Sequence, residues 1–283
     1  MSGPRSLVVC IDDFGMHAGV NDAALELGSA GRVTAVGCLV DGPAWRSGAS
    51  ALLAALRGWG DVGLHIDLTE PWAGASPRSL PKLILAAYGG RLRAPAITAE
   101  LKRQLDAFED AAGAAPDFVD GHQHVHQLPV IRSALVAELL RRYPLRLPWI
   151  RSSLPPPTLQ GFALKPQVIG MLGGRALRKL AQRAQLRQNR RLLGVYNFSG
   201  SAAAYRDRFD QWLAQAGDGD LLMCHPAAHG NDGLSQARQI EYAFLRSDAY
   251  REMLARHRIT LLRLGQSGQS GEGQAGLVGD AGQ

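Results

Sequence analysis

Short apolar runs alternate along this chain with longer stretches whose apolar residues return every three or four positions. Leu7-Val8-Val9-Cys10-Ile11 is unbroken, as in a strand covered on both faces. Comparable runs at 33–40, 61–68, 117–120, 147–151, 195–198, 220–226 and 259–264 predict further strands. Helical spacing predicts helices from about Ala18 to the glycines at 28 and 31, and over 43–56, 97–112, 174–193, 205–216 and 237–257. Another follows Pro129, where Val130, Ile131, Leu135, Val136, Leu139 and Leu140 share one face. Residues 69–95, with Pro and Gly, predict a long loop. Residues 265–283 have little to bury and predict a disordered Gly/Gln/Ser tail after a single domain over 1–264. Strands alternating with helices, without an internal repeat, predict a parallel α/β fold, most simply a distorted (β/α) TIM-like barrel.

Asp and His cluster at one kind of position in this pattern. Asp12 and Asp13 end the first strand, His65 lies near the end of the third, His122 ends the fourth, and His225 ends the strand over 220–226. In barrels and open sheets alike, ligands bind at the carboxyl ends of the strands. Four separate segments therefore deliver Asp or His to one rim. One carboxylate with two imidazoles, leaving room for water, is the ligand set of a catalytic metal rather than a structural one. We read Asp13, His65 and His122 as the ligands of one divalent ion, with Mg2+, Zn2+ and Mn2+ all compatible. Asp12 is the candidate general base and His225 the candidate general acid, which predicts metal-assisted hydrolysis of an amide or ester. His126 is a candidate contact to metal or substrate; His17, His124, His229 and His257 are read as non-ligands. Each residue alone has an ordinary alternative: a turn at Asp12-Asp13, a core histidine at His65, a strand closure at His225. Together those alternatives require several independent coincidences.

The segments Ile11-Asp12-Asp13-Phe14-Gly15 with Asn21, Gly63-Leu64-His65, Asp120-Gly121-His122-Gln123-His124-Val125-His126 with Pro129, and Met223-Cys224-His225-Pro226 resemble the motifs of the YdjC-like carbohydrate deacetylases. They occur in that family's order and span about residues 6–264. The resemblance implies a distorted (β/α) barrel, a divalent metal, and hydrolysis of the N-acetyl group of an acetylated amino sugar in a glycan, glycolipid or lipid-linked sugar. Carried over by motif, it implies Asp13, His65 and His122 as metal ligands, Asp12 as base and His225 as acid. Two other functions compete: a metal-dependent phosphoesterase, whose sites often hold two ions, and a non-catalytic barrel that binds sugar or a membrane surface.

Charge adds a second theme. The net charge is +6, yet no acidic residue occurs between Glu138 and Asp207. In that interval Arg175, Arg178, Lys179, Arg183, Arg187, Arg190 and Arg191 are spaced so that many can share one helical face. A solvated helix over the barrel explains this, and so does binding to an anionic membrane leaflet or to a phosphate-linked sugar. No recognition fold or aromatic series accompanies the charge, so no nucleic-acid role is expected. Cys10, Cys38 and Cys224 each lie in an apolar run and form no CxxC pair, which predicts buried thiols rather than disulfides. With no long apolar run, the expected location is cytoplasmic, peripheral at the inner membrane face if the basic segment docks there.

Overall fold

The computed structural model describes residues 3–56, 58–70, 79–157 and 165–264. In chain order its elements are β1 (Arg5–Phe14), α1 (Ala18–Ser29), β2 (Ala35–Cys38), α2 (Trp45–Leu56), β3 (Asp61–Ile66), α3 (Leu80–Tyr88), α4 (Ala94–Ala112), β4 (Phe118–Gly121), α5 (Ile131–Arg142), β5 (Trp149–Ile150), α6 (Lys165–Ile169), α7 (Arg175–Arg183), β6 (Leu192–Leu193), α8 (Ala202–Gln215), β7 (Asp220–Cys224), α9 (Ser235–Leu245), α10 (Asp248–Arg256) and β8 (Ile259–Leu261). A 3-10 turn, His122–Gln127, joins β4 towards α5.

All strand pairs are parallel, in the order β5-β4-β3-β2-β1-β7-β6, with β8 on β1. β8 pairs the first half of β1, through Arg5, Ser6 and Leu7, whereas β2 pairs its second half, from Cys10 onward. Between the two edge strands there is no ladder among the described residues. Ile150 N–H donates to the Arg187 carbonyl at 2.9 Å and Leu192 N–H to the Leu154 carbonyl at 2.8 Å. The Asn189 side chain accepts from Ser152 N–H at 2.7 Å and donates to the Ser152 and Arg191 carbonyls at 3.0 Å each. The result is a curled α/β sheet, the distorted (β/α) barrel that the strand–helix alternation predicted.

Side-chain parity divides the core in two. Leu7, Val9 and Ile11 pack outward with Val36, Leu64, Val119, Ile150, Leu222 and the helices. Val8 and Cys10 face the barrel interior with Ala35, Phe118, Trp149, Leu192, Leu221 and Met223. This is the two-residue repeat of a strand buried on both sides. It explains Gly63, where a Cβ would come within 2.4 Å of the Phe118 ring that fills the interior. The three cysteines are buried and free.

Four expected boundaries move. α3 lies inside the stretch read as a loop over 69–95; its Leu80, Leu83, Ile84 and Ala87 do have helical spacing, and Pro81, one of the prolines of that stretch, sits in its first turn, where proline is tolerated. Residues 71–78 of that stretch, and the tail expected over 265–283, lie outside the described residues. The helix expected over 174–193 stops at Arg183, Gln185 takes a left-handed φ of 55°, and the strand expected at 195–198 is instead Leu192–Leu193. The helix expected over 237–257 is two, α9 and α10, parted at Arg246–Ser247. No helix among the described residues is long and apolar enough to cross a membrane.

Candidate active site

Inward parity continues past the apolar interior into polar residues at the carboxyl end. Asp12 follows Val8 and Cys10, His65 follows Gly63, Asp120 and His122 follow Phe118, Arg151 follows Trp149, and His225 follows Leu221 and Met223. Asp13 has the opposite parity. The β1–β2 register slips between Ile11 and Phe14, and Asp13 takes φ 69°, so its carboxylate turns to the same rim as that of Asp12. Asn21 fixes the turn that follows, accepting from Gly15 N–H at 2.7 Å and donating to the Ala44 carbonyl at 2.8 Å. After β4, Gln123 and His124 are both left-handed, at φ 51° and 61°. Each such non-glycine costs on the order of 1 kcal/mol or more, and here they aim His122 back over the sheet.

Asp13, His65 and His122 offer one donor atom each, all within 4.8 Å of one another. Asp13 Oδ1 lies 2.9 Å from His122 Nδ1 and 3.5 Å from His65 Nε2. The outer nitrogens meet carboxylates: His65 Nδ1 is 2.6 Å from Asp120 Oδ1, and His122 Nε2 is 3.5 Å from Glu70 Oε1. Such partners set the tautomer that leaves the inner nitrogen's lone pair free for an ion. The other oxygen of Asp13 accepts from Arg238 at 2.8 Å, leaving Oδ1 for the cluster. Burial alone would push the Asp13 carboxyl up, but His122 and Arg238 hold it well below the carboxylate range. Burial would likewise lower His122, yet Asp13 and Glu70 carry it to about 10. The centre thus favours positive charge, and a divalent ion fits the donor set. A second group, Asp12, His65 and Asp120, also converges within 4.8 Å. It does not fit an ion, because the Arg151 guanidinium already joins both Asp12 oxygens at 2.6 Å and Asp120 Oδ2 at 2.6 Å.

Asp12 is 2 % exposed and borders the cavity. Burial raises its carboxyl, but Arg151 and His65 hold it well below the usual range, so it is ionised at neutral pH. His225 points Nε2 to 3.8 Å from Asp12 Oδ2 and packs edge-on against Phe198. Burial lowers His225 to about 4 against the pull of Asp13 and Asp12. Its backbone N–H donates to Glu241 at 2.6 Å, and Glu241 also accepts from Tyr196 OH at 2.6 Å. His126 is fully buried beneath the rim, with Nε2 3.0 Å from the Arg151 carbonyl, and does not border the cavity. It stands behind Arg151 rather than beside the metal donors. The cavity has a volume of about 1010 Å³. Its floor carries the Asp and His residues; its walls are largely apolar, with Leu80 and Ile84 from α3, Val168 and Ile169 from α6, and Leu172, Tyr196 and Phe198.

The sequence alone assigns no role to Glu70, Asp120, Arg151, Arg238 or Glu241. For Asp120 and Arg151 the signal was there: a charged residue at inward parity directly beyond an apolar strand. For Glu70, Arg238 and Glu241 there was none, since a loop and a helix far along the chain bring them in. In the basic segment, Arg178 bonds Ser152 Oγ at 2.9 Å and also the Arg190 carbonyl, and Arg191 pairs with Asp220 at 2.5 Å. Arg178 ties the irregular β5–β6 edge and Arg191 ties β6 to β7, while Arg175, Lys179, Arg183, Arg187 and Arg190 are exposed.

Residues 6–256 match the family model described as YdjC-like protein. The chain belongs to the YdjC-like family. A human carbohydrate deacetylase is 36 % identical over 161 residues, covering 52 % of this chain and 49 % of the relative. The carbohydrate deacetylase of Geobacillus stearothermophilus is 29 % identical over 239 residues, covering 79 % of this chain and 80 % of the relative. The chain spans about half the length of the first of these curated relatives. Among solved structures, an Enterococcus faecalis V583 protein provisionally described as a cellobiose-phosphate cleavage protein superposes with a TM-score of 0.69, at 18 % identity, over 93 % of this chain and 99 % of that one. That likeness places this YdjC-like chain in the same fold.

Proposed function

We propose that this YdjC-like chain is a metal-dependent hydrolase that removes the acetyl group from an N-acetylated amino sugar. The observation that carries this is the convergence of Asp13, His65 and His122, each imidazole with a carboxylate behind it, at the floor of a large cavity. The family relatives named carbohydrate deacetylases support the substrate class. A divalent ion held by these three residues supplies Lewis acidity toward water and the acetamide carbonyl. Asp12, kept ionised and fixed in direction by Arg151, takes the proton from the attacking water. His225, neutral at rest, takes that proton over from Asp12 as negative charge develops beside it and passes it to the departing amine, which returns Asp12 to its carboxylate. The 3.8 Å between His225 Nε2 and Asp12 Oδ2 keeps both proton transfers within one small volume. Arg238 holds Asp13 and donates to the His225 carbonyl at 3.3 Å, coupling the ligand strand to the acid. The largely apolar walls suit a sugar carrying an apolar aglycone, as in a glycolipid or lipid-linked sugar. A two-ion phosphoesterase is disfavoured, because Arg151 occupies the second donor group.

The test is acetate release from N-acetylated sugars and glycolipids by chelator-treated and metal-reloaded protein. Turnover that needs reloading is expected. Equal turnover with and without divalent metal would exclude the mechanism, and phosphate release without acetate release would favour the phosphoesterase.

A further inference from the structure

Six large hydrophobic residues are conspicuously exposed among the described residues, and four of them lie on the two segments that frame the cavity mouth. On α3, Leu80 and Ile84 line the cavity while Leu85 and Tyr88 are 66 % and 54 % exposed. On α6 and the turn that follows, Val168, Ile169 and Leu172 line it, Val168 being itself 44 % exposed, while Met171 beside them is 72 % exposed. Apolar side chains this open are ordinary when scattered; gathered around one opening they mark a surface that meets something apolar.

The two segments that frame the opening carry charge of one sign, although Glu70 and Asp232 border the cavity itself. Glu70 is the last acidic residue before Glu100, and Glu138 the last before Asp207, so neither framing segment carries a carboxylate. Lys82, Arg91 and Arg93 are exposed on and after α3. Arg175, Lys179 and Arg183 are exposed at four-residue steps along α7, which starts after a kink at Leu172 and Gly173 that parts it from Met171. The rest of the chain supplies the acidic residues. We propose that the mouth of the cavity is a docking face for an anionic lipid bilayer, with Leu85, Tyr88, Val168 and Met171 entering the headgroup boundary and the flanking cations meeting lipid phosphates. Apolar residues ringed by Lys and Arg, with acidic residues absent, are the composition of a segment lying in that boundary. Docked this way, the protein opens its cavity towards the leaflet, and a lipid-borne headgroup reaches the site without leaving the membrane. The face is defined without reference to the chemistry beneath it, so it stands or falls separately from the deacetylase assignment.

The test is flotation of the whole, metal-loaded protein with phosphatidylglycerol-containing vesicles and with pure phosphatidylcholine vesicles. Two double variants accompany it: Tyr88→Ser with Met171→Ser, and Arg175→Glu with Lys179→Glu. The wild type should float with the anionic vesicles only, and each pair should weaken that binding on the order of tenfold or more. Added salt should remove the contribution of the charge pair. Unfolding temperature, and turnover of a water-soluble N-acetylated amino sugar if the protein is active, should match wild type in both variants. Equal recovery with neutral and anionic vesicles, or variants that float like wild type, would overturn the proposal. So would a vesicle-free dimer that Tyr88→Ser with Met171→Ser dissolves, which would assign the face to a second copy of the chain. Binding lost in the charge pair but intact in the apolar pair would show a purely electrostatic contact without apolar insertion and overturn it equally.

Discussion

Replacing Arg151 by Met removes the cation around which the inner carboxylates are arranged, at nearly constant side-chain length. Arg151 is 1 % exposed and lies 2.6 Å from each Asp12 oxygen, 2.6 Å from Asp120 Oδ2 and 3.0 Å from Cys10 Sγ. Without it the imidazole nearest Asp12 through an ion-pair contact is His225, at 3.8 Å and neutral at pH 7, and Asp12 and Asp120 face each other within 4.8 Å. Breaking a buried pair by removing one partner costs about 3–5 kcal/mol, because the charge left behind is desolvated. For a chain of this size that lowers the unfolding temperature by roughly 6–20 °C. The assay is calorimetric or denaturant unfolding at pH 7 of wild type, Arg151→Met, Asp12→Asn and the double variant. Since the cost lies in the uncompensated carboxylate, the double variant should be more stable than Arg151→Met alone. A loss under about 1 kcal/mol for Arg151→Met, or a double variant no better than the single, would refute the reasoning.

Other substitutions probe the site separately. Asp12→Asn should abolish turnover while metal content, measured by mass spectrometry, stays at the wild-type level. Asp120→Asn and Glu70→Gln should each weaken metal binding by about 10–100-fold in a chelator competition, because each removes a carboxylate behind a ligand imidazole; unchanged affinity would contradict the proposed support. Glu241 is fully buried, and burial raises its carboxyl to about 7 against bonds from Tyr196 and His225. A carboxyl raised on folding contributes stability that is present below its unfolded pKa and is lost as pH rises through about 7. Glu241→Gln should therefore flatten the fall in unfolding free energy between about pH 4.5 and 7; a fall as steep as wild type would refute it.

Much of this arrangement could be read from the order of residues, for a physical reason. Strands buried on both sides spell themselves out as apolar runs, and a polar residue at the end of such a run can only face a rim. That is how Asp12, His65, His122 and His225 could be placed before any coordinates, and why the barrel followed from the alternation. Asp120 and Arg151 obey the same parity, but a charge inside the barrel looks unfavourable until its partner is known, and their pairing joins β4 to β5. Arg238 and Glu241 sit on α9 and read there as a polar helical face; only the fold carries them back to Asp13 and His225. Glu70 lies just beyond β3, where nothing local distinguishes it from a solvated loop residue. The misread boundaries have similar causes. The Pro and Gly content of 69–95 reads as loop although one of its prolines, Pro81, opens α3, and the apolar spacing on both sides of Arg246–Ser247 runs together as one helix. The long basic stretch contains two kinds of arginine, those that tie β6 to its neighbours and those that face outward, and periodicity alone could not separate them.

The most direct test of the metal centre is the divalent-ion content of tag-free protein, wild type beside His122→Ala, by mass spectrometry. About one ion per chain in the wild type, the stoichiometry of a single Asp-His-His site, and its loss in the variant are the predicted result. No ion in either protein after loading, or an ion retained in full by His122→Ala, would contradict the proposed centre and leave a binding barrel without hydrolytic chemistry as the better account.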